Sequence, residues 1–282
     1  MDLICHEEHG VMERTSMSME AIEESLEFLR LKELNSCPNA QYMTQIQKDG
    51  MTSEWRINVC NWITSLAGTL NFEVTTTSLA MNYFDRYLSV KSIEKSQVEL
   101  VAMACVLTAS KFNEQEALTI NEAASIATDH TSADIIATEK ELLKVLEWKL
   151  HAVLPHHFME CWLEQLEADS TVLDLCLDFL SRTATDLSML AFTPSTTALA
   201  CITLAYDMLH MPFPTERFTD DMKDSYRQCK SSVRAIVHPT VEEPKTPLAP
   251  KKLKRAASPS GVEDVYSYDS PVVIKRQRLY SA

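Results

Sequence analysis

The sequence predicts an all-α fold from three observations. Apolar residues recur at helical spacing through the middle of the chain, and no segment shows the strict alternation of a half-buried strand. Only 4 of the 282 residues are Gly, against an average usage of about 7%, which disfavours tight hairpins and Gly-rich phosphate loops. The clearest helical series are Trp55, Val59, Trp62, Ile63 and Leu66; Ala80, Phe84, Tyr87 and Leu88; and Leu173, Cys176, Leu177, Leu180, Ala184 and Leu187.

Start signals place several helices along the chain. A first helical stretch covers about Glu20–Leu34. Thr119 with Glu122 three residues later has the spacing of a capping box, in which each side chain accepts a backbone N–H of the other residue. Pro155 and Pro194 suit the first position of a helix, where a backbone N–H would lack an intrahelical partner. These signals predict helices that begin near each of the four positions.

An internal repeat appears at an offset of 96 residues. Ala102–Val106 falls on Ala198–Ile202, and Tyr83–Arg86 falls on Phe179–Arg182. Two helical domains of like plan, each with a central helix of small residues, explain this match. The sequence therefore predicts five segments: a flexible N-terminus (1–19), an N-terminal helix region (20–50), a first repeat (51–152), a second repeat (153–238) and a disordered regulatory tail (239–282), which holds 6 of the 11 prolines.

Charge and cysteine content narrow the class of function. Residues 1–238 hold 18 Lys and Arg against 35 Asp and Glu, a balance of −17, whereas 239–282 carry +3. An acidic body repels nucleic acid and favours a basic protein partner. The eight cysteines form no Cys-x-x-Cys pair, and no apolar stretch is long enough to span a bilayer. We expect a soluble intracellular protein with reduced thiols, without direct nucleic-acid or membrane binding.

Several specific motifs occur over residues 20–235. They are Trp55-Arg56, Cys60–Trp62, Leu79–Ser89, Ala109–Phe112 and Glu139–Leu150. Taken together, these motifs make the sequence similar to the cyclin family. Asn35–Pro38 leading to Tyr42 and Gln47, and Pro155–Phe158 at the start of the second repeat, resemble the pattern of D-type cyclins in particular.

The resemblance implies two tandem five-helix cyclin boxes, of which the first binds a cyclin-dependent protein kinase. It also implies a regulatory subunit that activates this kinase, with no catalytic residue, cofactor or metal of its own. Arg56 and Asp85 match the ion pair that ties the first helix of the box to the second. Such a pair fixes geometry more than it adds stability, because desolvation offsets most of the attraction.

The kinase-binding residues are also carried over from the resemblance. Lys111 should lie at the C-terminal end of an apolar helix, and Glu139 within a helix over Ile135–Trp148. In the second repeat the position equivalent to Lys111 is Asp207, so only the first repeat can make this contact. Taken alone, a Lys and a Glu on helices are usually just solvated. The apolar members of the patch are Phe112, Leu143, Trp148 and Leu100.

The N-terminus carries Leu3, Cys5 and Glu7 in the pattern Leu-x-Cys-x-Glu. In D-type cyclins this motif engages retinoblastoma-type pocket proteins. An extended chain would present the three side chains on one side, as two apolar groups and a charge that suit a short groove. The sequence thus predicts recruitment of such a protein as substrate, and a role in the G1/S transition.

A substrate-docking patch is expected less firmly at Trp55, Val59, Trp62 and Glu99. Many cyclins carry an acidic residue where this chain has Ser65, and Glu99 on the third helix is the candidate replacement. The tryptophans are equally well explained as partly core residues.

The tail combines three proline-directed sites, Thr246, Ser258 and Ser270, with the basic groups Lys251–Arg255 and Lys275–Arg278. Phosphorylation beside Lys and Arg could control nuclear import or turnover. We therefore expect the protein in both nucleus and cytoplasm; the alternative is that the basic groups are only a solvated tail.

Two other functions stay open. The same fold could serve as a transcription adaptor without kinase activation, although the charge of −17 on the body opposes a DNA-facing surface. A helical metalloenzyme could use His156, His157 and Glu160, but their order does not fit the Glu-x-x-His ligands of di-metal bundles. The sequence does not identify the kinase, or establish binding of kinase inhibitor proteins.

Overall fold

A computed structural model describes residues 18–127 and 129–238. Within these ranges the chain forms eleven α-helices and no strand, as the hydrophobic spacing predicts. The helices are α1 (Met19–Lys32), α2 (Tyr42–Gln45), α3 (Ser53–Leu70), α4 (Val74–Leu88), α5 (Val98–Asn113), α6 (Ile120–Ile126), α7 (Ser132–Val145), α8 (Pro155–Gln165), α9 (Ser170–Thr183), α10 (Pro194–Met208) and α11 (Asp224–Val237).

The first repeat is built around α5, which is buried from Val101 to Ser110. Helices α3, α4 and α7 pack against it. Small residues such as Ala102, Ala104 and Ala109 let these neighbours approach the helix closely, and all three are at most 1% exposed. A central helix of small residues is what the 96-residue offset predicts.

The second repeat places α8, α9 and α11 around α10. The start of α9 follows that of α4 by 96 residues, and α10 follows α5 by the same distance, which confirms the repeat. The cyclin resemblance implies five α-helices in each repeat. In place of the fourth α-helix, the second repeat has the short 3-10 helix Thr215–Phe218. Pro212 and Pro214 precede it and cannot donate backbone hydrogen bonds.

The predicted helix starts agree with the structure. Thr119 and Glu122 form the capping box of α6, and α8 and α10 begin at Pro155 and Pro194. The prediction of a helix over Ile135–Trp148 was wrong at both ends. A second capping box, between Thr131 and Asp134, starts α7 earlier at Ser132.

The end of α7 is a left-handed turn. Glu147 and Trp148 have φ values of 52° and 59°, so the helix cannot continue through them. Trp148 therefore lies after the helix, in the turn that leads to α8.

Helix α1 precedes the first repeat in sequence but packs on α8 of the second repeat. Its buried face, formed by Ile22, Leu26 and Leu29, belongs to the core of the second repeat. The carboxylate of Glu33, after α1, accepts hydrogen bonds from the backbone N–H and hydroxyl of Ser195 at 3.0 and 3.1 Å. The sequence did not predict this placement of α1.

Two chemical properties of the described residues concern the hydrophobicity of the helices and the state of the cysteines. Among them, no helix combines the length and the apolar character needed to cross a membrane. Their seven cysteines are free, and burial raises the thiol pKa of Cys60, Cys176 and Cys229 to about 12. These thiols are therefore protonated and unreactive at neutral pH.

Candidate functional site

The frame of the first repeat is a buried ion pair between α3 and α4. Arg56 Nε and Nη2 donate to the two carboxylate oxygens of Asp85 at 2.7 and 2.8 Å. The hydroxyl of Tyr42 donates to Asp85 Oδ1 at 2.7 Å. The pair joins α3 to α4, the two helices that the cyclin resemblance implies it connects.

Arg56 also reaches the second repeat. Its Nη1 and Nη2 donate to the backbone carbonyls of Thr185 and Ala184, at 2.9 and 3.2 Å, just after α9. Burial opposes the charge of the guanidinium, but the adjacent Asp85 carboxylate outweighs burial and raises the pKa of Arg56. One permanently charged side chain thus connects the two repeats.

Lys111 and Glu139 lie together on the surface of the first repeat. Lys111 is in the last turn of α5, as predicted, and its Nζ bonds to both carboxylate oxygens of Glu139 on α7, at 2.7 and 2.9 Å. The Lys111 side chain is 42% exposed, so water screens the pair and its net stabilisation is about 1 kcal/mol at most. Both side chains can therefore exchange this contact for one with a partner at small cost.

The second repeat has a corresponding link with the charges reversed. Asp207, in the last turn of α10, pairs with Lys230 and Arg234 of α11, at 3.0 and 2.8 Å. In both repeats, ion pairs thus join the C-terminal end of the central helix to the last helix. The cationic end of a central helix is found at Lys111 only, as the sequence comparison of the two repeats predicts.

Two exposed aromatic side chains lie at the C-terminal ends of the same two helices, Phe112 next to Lys111 in α5 and Trp148 three residues after α7. Phe112 is 46% exposed and Trp148 is 70% exposed, so both rings are accessible to a partner. Leu143 is half-buried on α7, and its carbonyl accepts the backbone N–H of Trp148 at 3.0 Å. We call Lys111, Phe112, Glu139, Leu143 and Trp148 the α5–α7 surface.

Leu100 is placed differently. It is half-buried near the N-terminus of α5, eleven residues before Lys111 and thus about 16 Å away along the helix. The residues between them on that face of α5, Ala104 and Leu107, are fully buried. Leu100 is therefore separated from the α5–α7 surface by core residues.

Helix α4 holds the turn that presents Trp148. The hydroxyl of Tyr83 donates to the carbonyl of Leu150 at 2.6 Å, and Arg86 Nη1 donates to the carbonyl of Lys149 at 2.9 Å. These contacts fix the backbone directly after Trp148. The aromatic ring is thus displayed by a fixed turn, which reduces the entropy cost of binding through it.

The expected docking patch is only partly at the surface. Val59 is buried in the core of the first repeat and cannot contact a peptide. The Lys95 ammonium lies over the ring of Trp55 at 4.4 Å from its centroid. Trp62 and Glu99 are half-buried, and burial raises the pKa of Glu99. A docking patch would have to consist of the remaining three side chains.

Other predicted site residues lie elsewhere. Leu3, Cys5, Glu7, Thr246, Ser258 and Ser270 are outside the described residues.

The histidines considered as metal ligands lie at the start of α8. His157 Nδ1 accepts the backbone N–H of Leu154 at 3.1 Å, so this histidine serves as a helix cap of α8. In residues 18–127 and 129–238, no three His, Cys, Asp or Glu side chains are grouped as ligands for a metal ion.

These features define a class of protein: two tandem α-helical repeats, linked by hydrogen bonds from a buried, ion-paired arginine, with exposed aromatic and charged side chains on the first repeat. The Cyclin, N-terminal domain family matches residues 24–151, and the Cyclin, C-terminal domain family matches residues 153–270. The chain belongs to the cyclin family, whose members are regulatory subunits of protein kinases rather than enzymes.

Curated relatives and solved structures agree with this family. The chain is 28% identical to G1/S-specific cyclin-D1 of Mus musculus and 26% identical to that of Homo sapiens, each over 83% of this chain and 89% of the relative. A viral cyclin from herpesvirus saimiri aligns with a TM-score of 0.64 at 20% identity, over 75% of this chain and 97% of the viral one. A chain of the yeast RNA Pol II CTD kinase CTDK-1 complex aligns with a TM-score of 0.57 at 14% identity, over 78% and 72%.

Proposed function

We propose that this cyclin binds and activates a cyclin-dependent serine/threonine protein kinase in the G1/S transition, through the α5–α7 surface. The observation that carries this proposal is the exposure of Phe112, next to Lys111, and of Trp148, three residues after the helix that holds Glu139. Burying the two aromatic side chains against a partner would contribute about 2 kcal/mol each. The similarity to cyclin-D1 supports the choice of partner and of cell-cycle stage.

The mechanism is a shift of conformational population in the kinase. A protein kinase is active only when its β3 Lys is paired with a Glu of its C-helix. A fixed surface that binds the inward C-helix better than the outward one raises the active population by the ratio of the two affinities. Lys111 can donate to kinase carbonyls, and Glu139 can accept kinase backbone N–H groups.

The decisive experiment separates binding by Lys111 from its role in the internal ion pair. Lys111→Ala should weaken capture of the kinase by about tenfold or more, because a charged interface donor is lost. The double variant Lys111→Glu with Glu139→Lys keeps the internal pair but reverses the charges that a kinase meets. We expect it to keep its thermal stability and to lose kinase capture and activation.

Asp207→Ala is the matched control, because it removes the corresponding tie in the second repeat. It should leave kinase capture unchanged. If the charge-reversed double variant activates the kinase as well as the native chain does, the proposed surface is wrong. If the native chain captures no kinase of a cyclin-dependent panel, the adaptor function is favoured instead.

Substrate recruitment is a second part of the proposal. Leu3, Cys5 and Glu7 would bind a retinoblastoma-type pocket protein and bring it to the kinase. Cys5→Ala should slow phosphorylation of the pocket protein while leaving kinase capture and phosphorylation of a short peptide substrate unchanged. Equal rates on the pocket protein would contradict recruitment by this motif.

Cellular location is the third part. The basic groups Lys251–Arg255 and Lys275–Arg278 would direct import, and phosphorylation at Thr246, Ser258 or Ser270 would shift the balance between nucleus and cytoplasm. Imaging of the chain with both basic groups changed to Ala should show loss of the nuclear fraction. An unchanged nuclear fraction would leave the groups as a solvated part of the chain.

A further inference from the structure

A cavity of about 150 Å³ lies between the two repeats. Its walls come from the segment after α1, from α4, and from the parts of the second repeat around α8, α9 and the start of α10. Most of the lining is apolar, including Pro38, Met81, Leu154, Leu180, Met189 and Phe192. Pro38 and Phe192 are half-buried, so the cavity reaches the surface there, whereas Leu154 and Met189 are buried.

His156 differs from other polar residues of the lining, such as Asn82 and Thr183, whose side chains form hydrogen bonds within the protein. It is the second residue of α8, is 6% exposed, and lines the cavity. Neither of its ring nitrogens has a hydrogen-bond partner among the described residues. A buried polar group without a partner destabilises the folded state. A Leu or Phe would fill the same wall without this cost, so the imidazole itself points to a ligand.

The charged groups of the wall are already engaged with each other. The Arg56 guanidinium donates to Asp85 and to the carbonyls of Ala184 and Thr185, as described above. Cys37 Sγ donates to the carbonyl of Glu33 at 3.2 Å. The remaining charged group of the wall is the Asp186 carboxylate, which accepts the backbone N–H of Ser188 at 2.8 Å. The wall therefore offers no unpaired cation to an anionic ligand, and its largely apolar lining favours a neutral one.

The protonation state of His156 agrees with a neutral ligand. Burial, with a smaller contribution from the nearby His157, lowers the pKa of His156 to about 4. The ring is thus neutral at pH 7, with one N–H donor and one nitrogen acceptor. It can both accept from a hydroxyl group and, after rotation or tautomer exchange, donate to one.

We propose that this inter-repeat cavity is a binding site for a small neutral molecule with a single aromatic ring and one hydroxyl or N–H group, which hydrogen-bonds to His156. The size fits, because an apolar protein cavity of about 150 Å³ binds benzene. Since both repeats line the cavity, the ligand would contact both and stabilise their packing by mass action. This site is separate from the α5–α7 surface.

The test uses the full chain and phenol as probe, with toluene and benzoate as matched compounds. Isothermal titration and ligand-observed NMR should show saturable binding of phenol and toluene, with phenol the tighter, and no binding of benzoate. Phenol should raise the melting temperature in a concentration-dependent manner. Absence of saturable phenol binding, or benzoate binding as tight as phenol, would overturn the proposal.

Variants locate the site. His156→Phe should weaken phenol by about fivefold to tenfold and leave toluene nearly unchanged, because only the hydrogen bond is lost. Ala184→Leu places extra carbons at the lining and should abolish binding of both compounds. His151→Phe is the control, since this exposed histidine in the segment before α8 does not line the cavity. Phenol binding that survives both cavity variants contradicts the assignment, and Ala184→Leu provides the test if His156→Phe fails to fold.

Discussion

Arg56 is a buried charged residue, and it neutralises the buried carboxylate of Asp85. Its partner Asp85 would remain as an uncompensated buried charge if the guanidinium were removed. We expect Arg56→Met to lower the free energy of unfolding by about 3–5 kcal/mol, measured by urea denaturation. The double variant Arg56→Met with Asp85→Leu should recover most of this loss, because it removes both charges. A loss below about 1 kcal/mol in the single variant would show that the pair is not desolvated.

His156 gives the stability of the protein a specific dependence on pH. Its pKa in the folded state is about 4, below the ordinary value of about 6.5 in the unfolded chain. Between these values the unfolded chain binds more protons, so the free energy of unfolding decreases as the pH falls from about 7 to 4. The full contribution of the neutral His156 to the free energy of unfolding is present above about pH 7, and about 3 kcal/mol of it is lost by pH 4.

The measurement compares urea denaturation of the native chain and of His156→Phe at several pH values. Carboxylates affect both chains alike, so the difference between the two curves isolates the histidine. The native chain should lose stability more steeply than the variant between pH 7 and 4. Parallel curves would mean that the imidazole is hydrated in solution.

At the scale of elements, the attachment of α1 depends on one carboxylate as well as on its apolar face. Glu33→Gln weakens the two charge-assisted hydrogen bonds to Ser195, and we expect a loss of about 1–2 kcal/mol. Hydrogen exchange should then accelerate in α1 and in the first turn of α10. Glu27→Gln, on the exposed face of α1, is the matched control and should leave exchange unchanged. Equal protection in both variants would show that the Glu33–Ser195 hydrogen bonds do not contribute to the attachment of α1.

Element boundaries were predictable where a local signal sets them. Thr119 with Glu122, Pro155 and Pro194 mark helix starts through hydrogen bonds or ring geometry that involve only neighbouring residues. The end of α7 had no such signal, because Glu147 and Trp148 are neither Gly nor Asn and yet adopt positive φ. Contacts from Tyr83 and Arg86, more than 60 residues earlier in the chain, hold the backbone that follows this turn.

In the candidate site, too, residues within local motifs were predictable, whereas contacts between distant parts of the chain were not. The cyclin resemblance led to the Arg56–Asp85 pair and to Lys111 and Glu139, since those positions lie within recognisable motifs. The contact of Arg56 with the carbonyls of Ala184 and Thr185 was not predictable, because it joins residues more than 125 positions apart and backbone acceptors leave no trace in a sequence. The unpartnered ring of His156 likewise depends on the packing of the two repeats.

At the scale of the whole molecule, the second repeat is completed by a helix from the start of the chain. Ile22, Leu26 and Leu29 cover its core, so a fragment of residues 153–238 alone would expose that surface. We expect this fragment to bind a hydrophobic dye and to unfold with low cooperativity. Addition of a peptide of residues 18–36 should reduce dye binding, whereas a peptide with Leu26→Asp and Leu29→Asp should not. A fragment that is cooperative without the peptide would show that α1 is dispensable.

The turn that displays Trp148 also gives this protein an optical signal. Trp148 is 70% exposed, whereas Trp162 is 1% exposed in the core of the second repeat. A small water-soluble quencher such as acrylamide will reach the first indole far more readily than the second. If a partner covers the α5–α7 surface, the quenchable part of the fluorescence should fall and the emission should move to shorter wavelength, with no label attached. Trp148→Phe should remove most of that change, while Trp55, Trp62 and Trp162 continue to report on folding.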